Sequence, residues 1–163
     1  MAADGSDDGI EDRRERVQRH PRPAVRTSLG RWYEIRNPLR AAPNYAVILP
    51  CRVSPSLALK RVLLRRLGVT IGDGVAFGLE STPDVFWPEL ITIEDDVIIG
   101  YDATILCHEF LRDEYRTGEV HIREGAMIGA GAIILPGVEI GEGAQVSANS
   151  LVTEDVPPET TVT

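Results

Sequence analysis

The chain has little of what several function classes need. Only two cysteines, Cys51 and Cys107, stand among its 163 residues. They are too few for a disulfide framework and have no zinc-site spacing, so a reducing cytoplasm is the expected location. No run of eighteen apolar residues occurs, so no helix is expected to span a membrane. The N-terminus is polar and acidic, unlike a signal peptide. Histidine is scarce, with His20, His108 and His121, and lysine occurs once, as Lys60, against sixteen arginines.

Charge is also unevenly spread along the chain. Fourteen of the seventeen Lys and Arg precede Val69, with seven acids, whereas the remainder holds three Arg and eighteen acids. An acid-rich, lysine-poor surface suits a high-salt cytosol, where carboxylates hold water and cations screen their repulsion.

What the chain does have is a six-residue beat. Ile122, Ile128, Ile134, Ile140, Val146 and Val152 follow at sixes, as do Ile93, Ile99 and Ile105, and Ile71 and Phe77. Four positions after each opener stands a small or β-branched residue, such as Val75, Ser81, Val97, Ala126, Ala132 or Val156. Three positions after it stands a corner column of mostly Gly, Asn and Asp, including Gly74, Asp96, Gly131, Asn149 and Asp155, and also His108. Gly, Asn and Asp adopt φ > 0 most cheaply, so the column reads as tight corners between short strands. A helix would need spacings of three and four. Three strands and three corners make one triangular coil, and coils stack at about 4.8 Å.

Two interruptions break the beat. Ile105 to Ile122 is too long by eleven residues, so a loop over 109–121 leaves the coil. Phe77 to Ile93 is too long by four; the first coil is expected to close near Val85, with a bulge over residues 81–89.

Before the repeat, residues 1–28 lack apolar periodicity and are expected to be a disordered tail. Residues 29–68 form a helical segment and 69–163 the β-helix. Ser54-Pro55 reads as a helix start and Gly68 as its stop. Leu57, Leu59, Val62, Leu63, Leu64 and Leu67 make its apolar side, with Lys60, Arg61, Arg65 and Arg66 opposite. We take this helix as a cap on the open first coil. Membrane-surface contact through residues 54–67 is the lesser reading. The run Tyr45 to Leu49 decides nothing by itself.

The repeat resembles the hexapeptide-repeat acyltransferases, most closely the branch of maltose and galactoside O-acetyltransferases. The stretches that carry the likeness are Ile71-Gly-Asp-Gly-Val75, Ile99 to His108, Met127 to Gly137 and Val152 to Pro158. It covers about residues 60–163. The resemblance implies an all-β fold, a single-stranded left-handed parallel β-helix of about four coils. It also implies a homotrimer in which acetyl-CoA, as co-substrate, lies between two subunits. Transfer would be to a hydroxyl or amine of a sugar-like or other small acceptor.

In that branch a histidine at the start of the protruding loop is the general base, and His108 matches it. Its place where the chain departs from the coil agrees, and an imidazole titrating near neutrality can take a hydroxyl or amine proton. Ala130 matches the position whose backbone N–H holds the thioester oxyanion. Ala148 and Thr153 match contacts to the coenzyme. Glu154 stands where the family often has Lys, and no basic tail follows the last coil up to Thr163. Arginines of the N-terminal region are one source of the missing cations. Gly78 stands where sugar-acetylating relatives can carry an Asn, which speaks against a simple galactoside acceptor.

Asp84, Glu89 and Glu109 are candidates to orient His108 or hold the acceptor. Phe86 and Trp87 are placed either to stack on a sugar or to pack on the N-terminal helix. Cys107 is adjacent to His108, but neighbours in extended chain point to opposite faces. A noncatalytic trimeric scaffold is the alternative. A carbonic anhydrase-like zinc enzyme is a weaker one, since His108 and His121 lack the required pairing.

Overall fold

The computed structural model describes residues 13–22 and 27–163. The chain opens with α1 (Arg13–Arg16) and β1 (Gln18–Pro21), then α2 (Trp32–Ile35), α3 (Pro38–Val53) and α4 (Leu57–Arg66). The first coil follows as β2 (Thr70–Ile71) and β3 (Ala76–Phe77), the second as β4 (Ile91–Ile93), β5 (Ile98–Ile99) and β6 (Thr104–Ile105). A protruding hairpin, β7 (His108–Phe110) and β8 (Glu114–Thr117), comes next. Two more coils are β9 (Val120–Ile122), β10 (Met127–Ile128), β11 (Ile133–Ile134) and β12 (Glu139–Ile140), β13 (Gln145–Val146), β14 (Leu151–Val152), and β15 (Thr161–Val162) closes the chain.

The coil strands pair in parallel with strands of the neighbouring coils, giving three sheets: β2-β4-β9-β12, β3-β5-β10-β13-β15 and β6-β11-β14. The chain visits them in turn, which makes a triangular β-helix. Each opener points inward: Ile93, Ile99, Ile105, Ile122, Ile128, Ile134, Ile140 and Val146 are all buried, as are the small partners Val75, Val97, Ala126, Ala132 and Ala144. Burying side chains of this size stabilises by about 1.5–3 kcal/mol each.

Several corners match the expected column. Gly74, Asp96, Asp102, Gly125, Gly131, Gly137, Gly143 and Asn149 all have positive φ. His108 and Asp155 are not among them. His108 opens a strand instead, because the backbone there pairs with β8 rather than turning.

The beat itself runs longer than its aliphatics show. Thr82 pairs with Thr104, so the first coil closes at Thr82-Pro83 and not near Val85. Pro83 is the buried opener, six after Phe77; a proline breaks an aliphatic count but fits where no ladder N–H is needed. At the far end Val156 pairs with Ile140, so it opens the next coil rather than finishing the unit of Val152.

The first coil's upper edge exposes carbonyls that no strand covers. Helix α4 covers them with its cations: Lys60 Nζ donates to Phe77 O at 3.2 Å and Gly78 O at 2.7 Å, Arg61 to Val75 O, and Arg65 to Ile71 O and Gly72 O. This turns Lys60 inward against expectation, although Leu64 stays buried, Leu63 and Leu67 pack on the core, and Arg65 and Arg66 remain exposed. Lys60 is 1% exposed, whereas Leu57, Leu59 and Val62 are 40–47% exposed. Hydrogen-bond demand at the open edge outweighs the side-chain pattern. The helix also starts later than expected, with Ser56 as N-cap accepting from Leu59 N. Ser54 closes α3, which takes in Tyr45 to Leu49.

The other two corrections lie near the hairpin. Residues 109–121 are not a plain loop, since β7 and β8 pair antiparallel and β9 already begins at Val120. Residues 13–22, expected to be tail, carry α1 and β1, and β1 adds antiparallel to β8. Of the rest of the expected tail, Ser28 is buried and donates to Leu111 O, and 1–12 and 23–26 lie outside the described residues.

Candidate active site

His108 sits where the chain leaves the third sheet after Ile105, and Asp84 follows the same edge of the first coil after Pro83. Stacking brings the two together. His108 Nδ1 lies 2.5 Å from Asp84 Oδ2. The Asp84 side chain has no exposure, and that of His108 is 14% exposed. Oδ1 of Asp84 accepts from the backbone N–H of Phe86 and Trp87 at 2.7 and 2.8 Å, and Oδ2 accepts from Cys107 N at 2.6 Å. Three backbone donors and one imidazole satisfy this buried carboxylate and fix it in place. A carboxylate facing Nδ1 keeps the proton on that nitrogen and leaves Nε2 as the acceptor.

Aromatic rings enclose the imidazole. Phe86, Trp87 and Phe110 have centroids 4.9, 5.4 and 4.8 Å from it. Phe86 meets Trp32 of α2 edge-on, and Arg36 lies over Trp87. Tyr115 stacks between Trp87 and His20. Strand alternation explains this: His108, Phe110, Tyr115 and Thr117 share one face of the hairpin, and Glu109 and Arg116 the other.

The remaining acids are engaged elsewhere. Glu109 pairs with Arg13 at 3.2 Å and Glu89 with Arg36 at 2.5 Å. Cys107 is fully buried, and burial pushes its thiol well above the ordinary range, which suppresses the nucleophilic thiolate. His121 lies on the first sheet, its Nε2 2.8 Å from Glu94 Oε1.

Ala130 and Ala148 are exposed and sit one coil apart at the corner leading into the third sheet. Among the described residues, neither backbone N–H has an intramolecular acceptor. The corner is tight: a Cβ on Gly129 would meet Ala148 N at 2.5 Å, and one on Gly100 would meet Ala130 N at 2.6 Å. Glycine is therefore required for coils to stack here while the alanine amides stay outside. Thr153, also exposed, lies at the opposite edge of the third sheet, and its carbonyl accepts from Arg13 Nη1. His108 shares that edge. One chain thus holds His108 and the alanine amides on opposite edges of one sheet, a strand of about four residues or roughly 13 Å apart.

The sequence reading missed Phe110 and Tyr115, and took the N-terminal arginines only as a group, without the contacts that Arg13 and Arg16 of α1 make. Phe110 and Tyr115 had a signal, since 108 and 110 alternate as one strand. Arg13 and Arg16 had none. Arg13 donates to Pro136 O, and Arg16 pairs with Asp155 at 2.5 Å, contacts that only docking of the segment creates.

Residues 119–154 match the family model described as bacterial transferase hexapeptide (six repeats). A Bacillus subtilis protein named "Putative acetyltransferase YvoF" is 43% identical over 143 residues, 87% of this chain and 83% of its own length. A Staphylococcus aureus protein named "Putative acetyltransferase SAR0816" is 38% identical over 144 residues, 82% of this chain and 89% of its own. Among solved structures, a hexapeptide-repeat acetyltransferase from Vibrio cholerae superposes with TM-score 0.61 at 23% identity, over 76% of this chain and 85% of that one. A galactoside acetyltransferase in complex with coenzyme A superposes with TM-score 0.57 at 22% identity, over 76% of each. These two likenesses speak to the fold.

Proposed function

The chain belongs to the hexapeptide-repeat acetyltransferase family, and on that premise we propose that it transfers an acyl group from acetyl-CoA to a hydroxyl or amine of a small, sugar-like acceptor, with His108 as general base. The observation that carries the reading is the Asp84–His108 hydrogen bond. Asp84 holds the ring by Nδ1–H, so Nε2 takes the acceptor's proton as its oxygen or nitrogen attacks the thioester carbonyl. The imidazolium that forms faces a buried carboxylate, which offsets its charge. As the C–S bond breaks, the same Nε2 returns the proton to the departing sulfur. Ala130 N–H is the donor to the developing oxyanion. Ala148 N–H and Thr153 line the path of the pantetheine arm.

The geometry supports sharing the site between subunits. His108 and Ala130 face opposite edges of one sheet, so a neighbouring copy supplies the second half. The outer faces of the second and third sheets expose the apolar residues Ile98, Met127, Ile133 and Leu151, together with Gln145 and Thr161. The first sheet shows Thr92, His121 and Glu139 instead. The more apolar pair of faces suits a homotrimer interface. The left-handed sense of the coil belongs to the same reading.

The test is His108→Ala, assayed by free-thiol release once an acceptor has been found by screening sugars and amines. Transfer should fall by roughly 10²–10⁴-fold, the share of a positioned base, with coenzyme affinity nearly intact. An undiminished rate would remove His108 from the chemistry.

A further inference from the structure

Helix α3 is turned the wrong way for a soluble surface. Its inward face is Ala41, Ile48 and Cys51, all buried. Its outward face is Leu39, Ala42, Pro43, Ala46, Leu49, Pro50 and Val53, every one exposed and none polar. Leu39 is 82% exposed, Val53 63% and Leu49 47%. A helix normally puts its polar residues there. Helix α4 packs beside α3 and repeats the anomaly in part, since Lys60 is buried while Leu59 and Val62 stay outside. Two neighbouring helices therefore each turn apolar side chains to solvent, more than scattered exposure accounts for.

The surroundings of these side chains are basic. Residues 29–67 hold eight Lys and Arg and a single acid, Glu34, while residues 68–163 hold three Arg and eighteen acids. Arg40, Arg65 and Arg66 are exposed beside the apolar face. Arg31 pairs with Glu34, Arg36 with Glu89, Arg52 with Glu80 and Arg65 with Asp73, and Lys60 is buried, so the positive charge of this end rests on Arg40, Arg61 and Arg66, with the anionic β-helix beyond. An anionic surface attracts one end and repels the other, so it both binds and orients the protein.

We propose that the outward face of α3 and α4 docks on an anionic lipid bilayer, with the cap toward the lipid and the β-helix away from it. The occupant is lipid because the face is apolar along a whole helix, has exposed arginines beside it, and the acid that adjoins it, Glu89 in the cleft with Leu39 and Pro43, is paired with Arg36. The depth follows from two prolines. Pro43 and Pro50 lack the N–H that Leu39 O and Ala46 O would otherwise meet, so those carbonyls need water. The helix therefore lies at headgroup level, with Leu39, Leu49 and Val53 reaching the acyl boundary, and does not insert. No described helix is long and apolar enough to cross. In a cyclic trimer, which rests on the reading above, rotation about the three-fold keeps all three caps at one height. Three weak contacts then act together on a planar surface.

The experiment is vesicle flotation with the full chain, which needs neither coenzyme nor acceptor and so is independent of the acetyl-transfer reading. Phosphatidylcholine vesicles are compared with vesicles of equal phosphatidylcholine and phosphatidylglycerol. The protein should float with the mixed vesicles, stay behind with the neutral ones, and be released progressively by salt. The triple variant Leu39→Ser, Leu49→Ser, Val53→Ser changes only exposed positions, so its melting should match the parent while flotation is lost. Failure of the parent chain to float with anionic vesicles overturns the proposal, as does a variant that floats equally well. A variant whose mass by light scattering falls would assign the face to a second copy of the chain instead.

Discussion

Asp84 and His108 are twenty-four residues apart in sequence and 2.5 Å apart at their side chains, one on each of two stacked coils at the same edge. The carboxylate is held by three backbone N–H groups before it meets the imidazole. Its position is therefore set by the main chain, and the ring is oriented by it. That order of dependence yields the first expectation.

Asp84→Asn should lower transfer by about 10- to 10⁴-fold, no more than His108→Ala does. An amide has one acceptor oxygen, so turning its NH₂ toward Nδ1 forces the imidazole proton onto Nε2, where it blocks the base. Coenzyme affinity should hold. A full rate in Asp84→Asn, measured with an intact melting transition, would show that the carboxylate is only structural.

Lys60 links α4 to the open edge of the first coil. Lys60→Met keeps the length but leaves Phe77 O and Gly78 O unmet, and should cost about 2–5 kcal/mol in denaturant unfolding. The pH dependence has a defined sign. Burial lowers the Lys60 ammonium below its ordinary range, with Cys51 and Glu80 opposing. Between its folded and unfolded values the unfolded chain binds more protons. Lys60 therefore contributes a stability that rises with pH across that window and is smaller below it. The parent should show this slope and Lys60→Met should not, as read from denaturation midpoints against pH.

Assembly is tested at Leu151, 60% exposed on the outer face of the third sheet. Light scattering of the parent should give about three times 17.9 kDa. Leu151→Glu should give a folded chain of lower mass that no longer transfers, because a carboxylate buried at the contact is left unpaired. A trimer that survives the substitution would move the interface to another face.

Much of the coil was determined by the sequence alone. Side chains alternate in and out with fixed period, so a strict six in Ile93, Ile99 and Ile105 leaves one foldable answer. Glycine and asparagine at Gly131 and Asn149 mark corners for the same local reason, that φ > 0 costs other residues more. The departure of the chain at His108 could be placed by where the count fails, whereas Ala130, Ala148 and Thr153 are named through the family resemblance.

Tertiary structure decided what the period does not carry. Pro83 acts as a core opener because a stacked coil makes room for it, and no propensity shows that. Lys60 and Arg61 of α4 turn to the first coil because it leaves carbonyls open, a demand visible only once both are in place. The strand at Gln18–Pro21 exists only as a partner of β8. Which of Asp84, Glu89 and Glu109 meets the histidine was likewise undecided in the sequence, since each is a carboxylate within reach of a bulge or loop. Stacking of the coils chose Asp84, and sent Glu89 to Arg36 and Glu109 to Arg13. Local rules determine what a residue does to its own backbone, whereas contacts between coils depend on which segments the closed helix sets side by side.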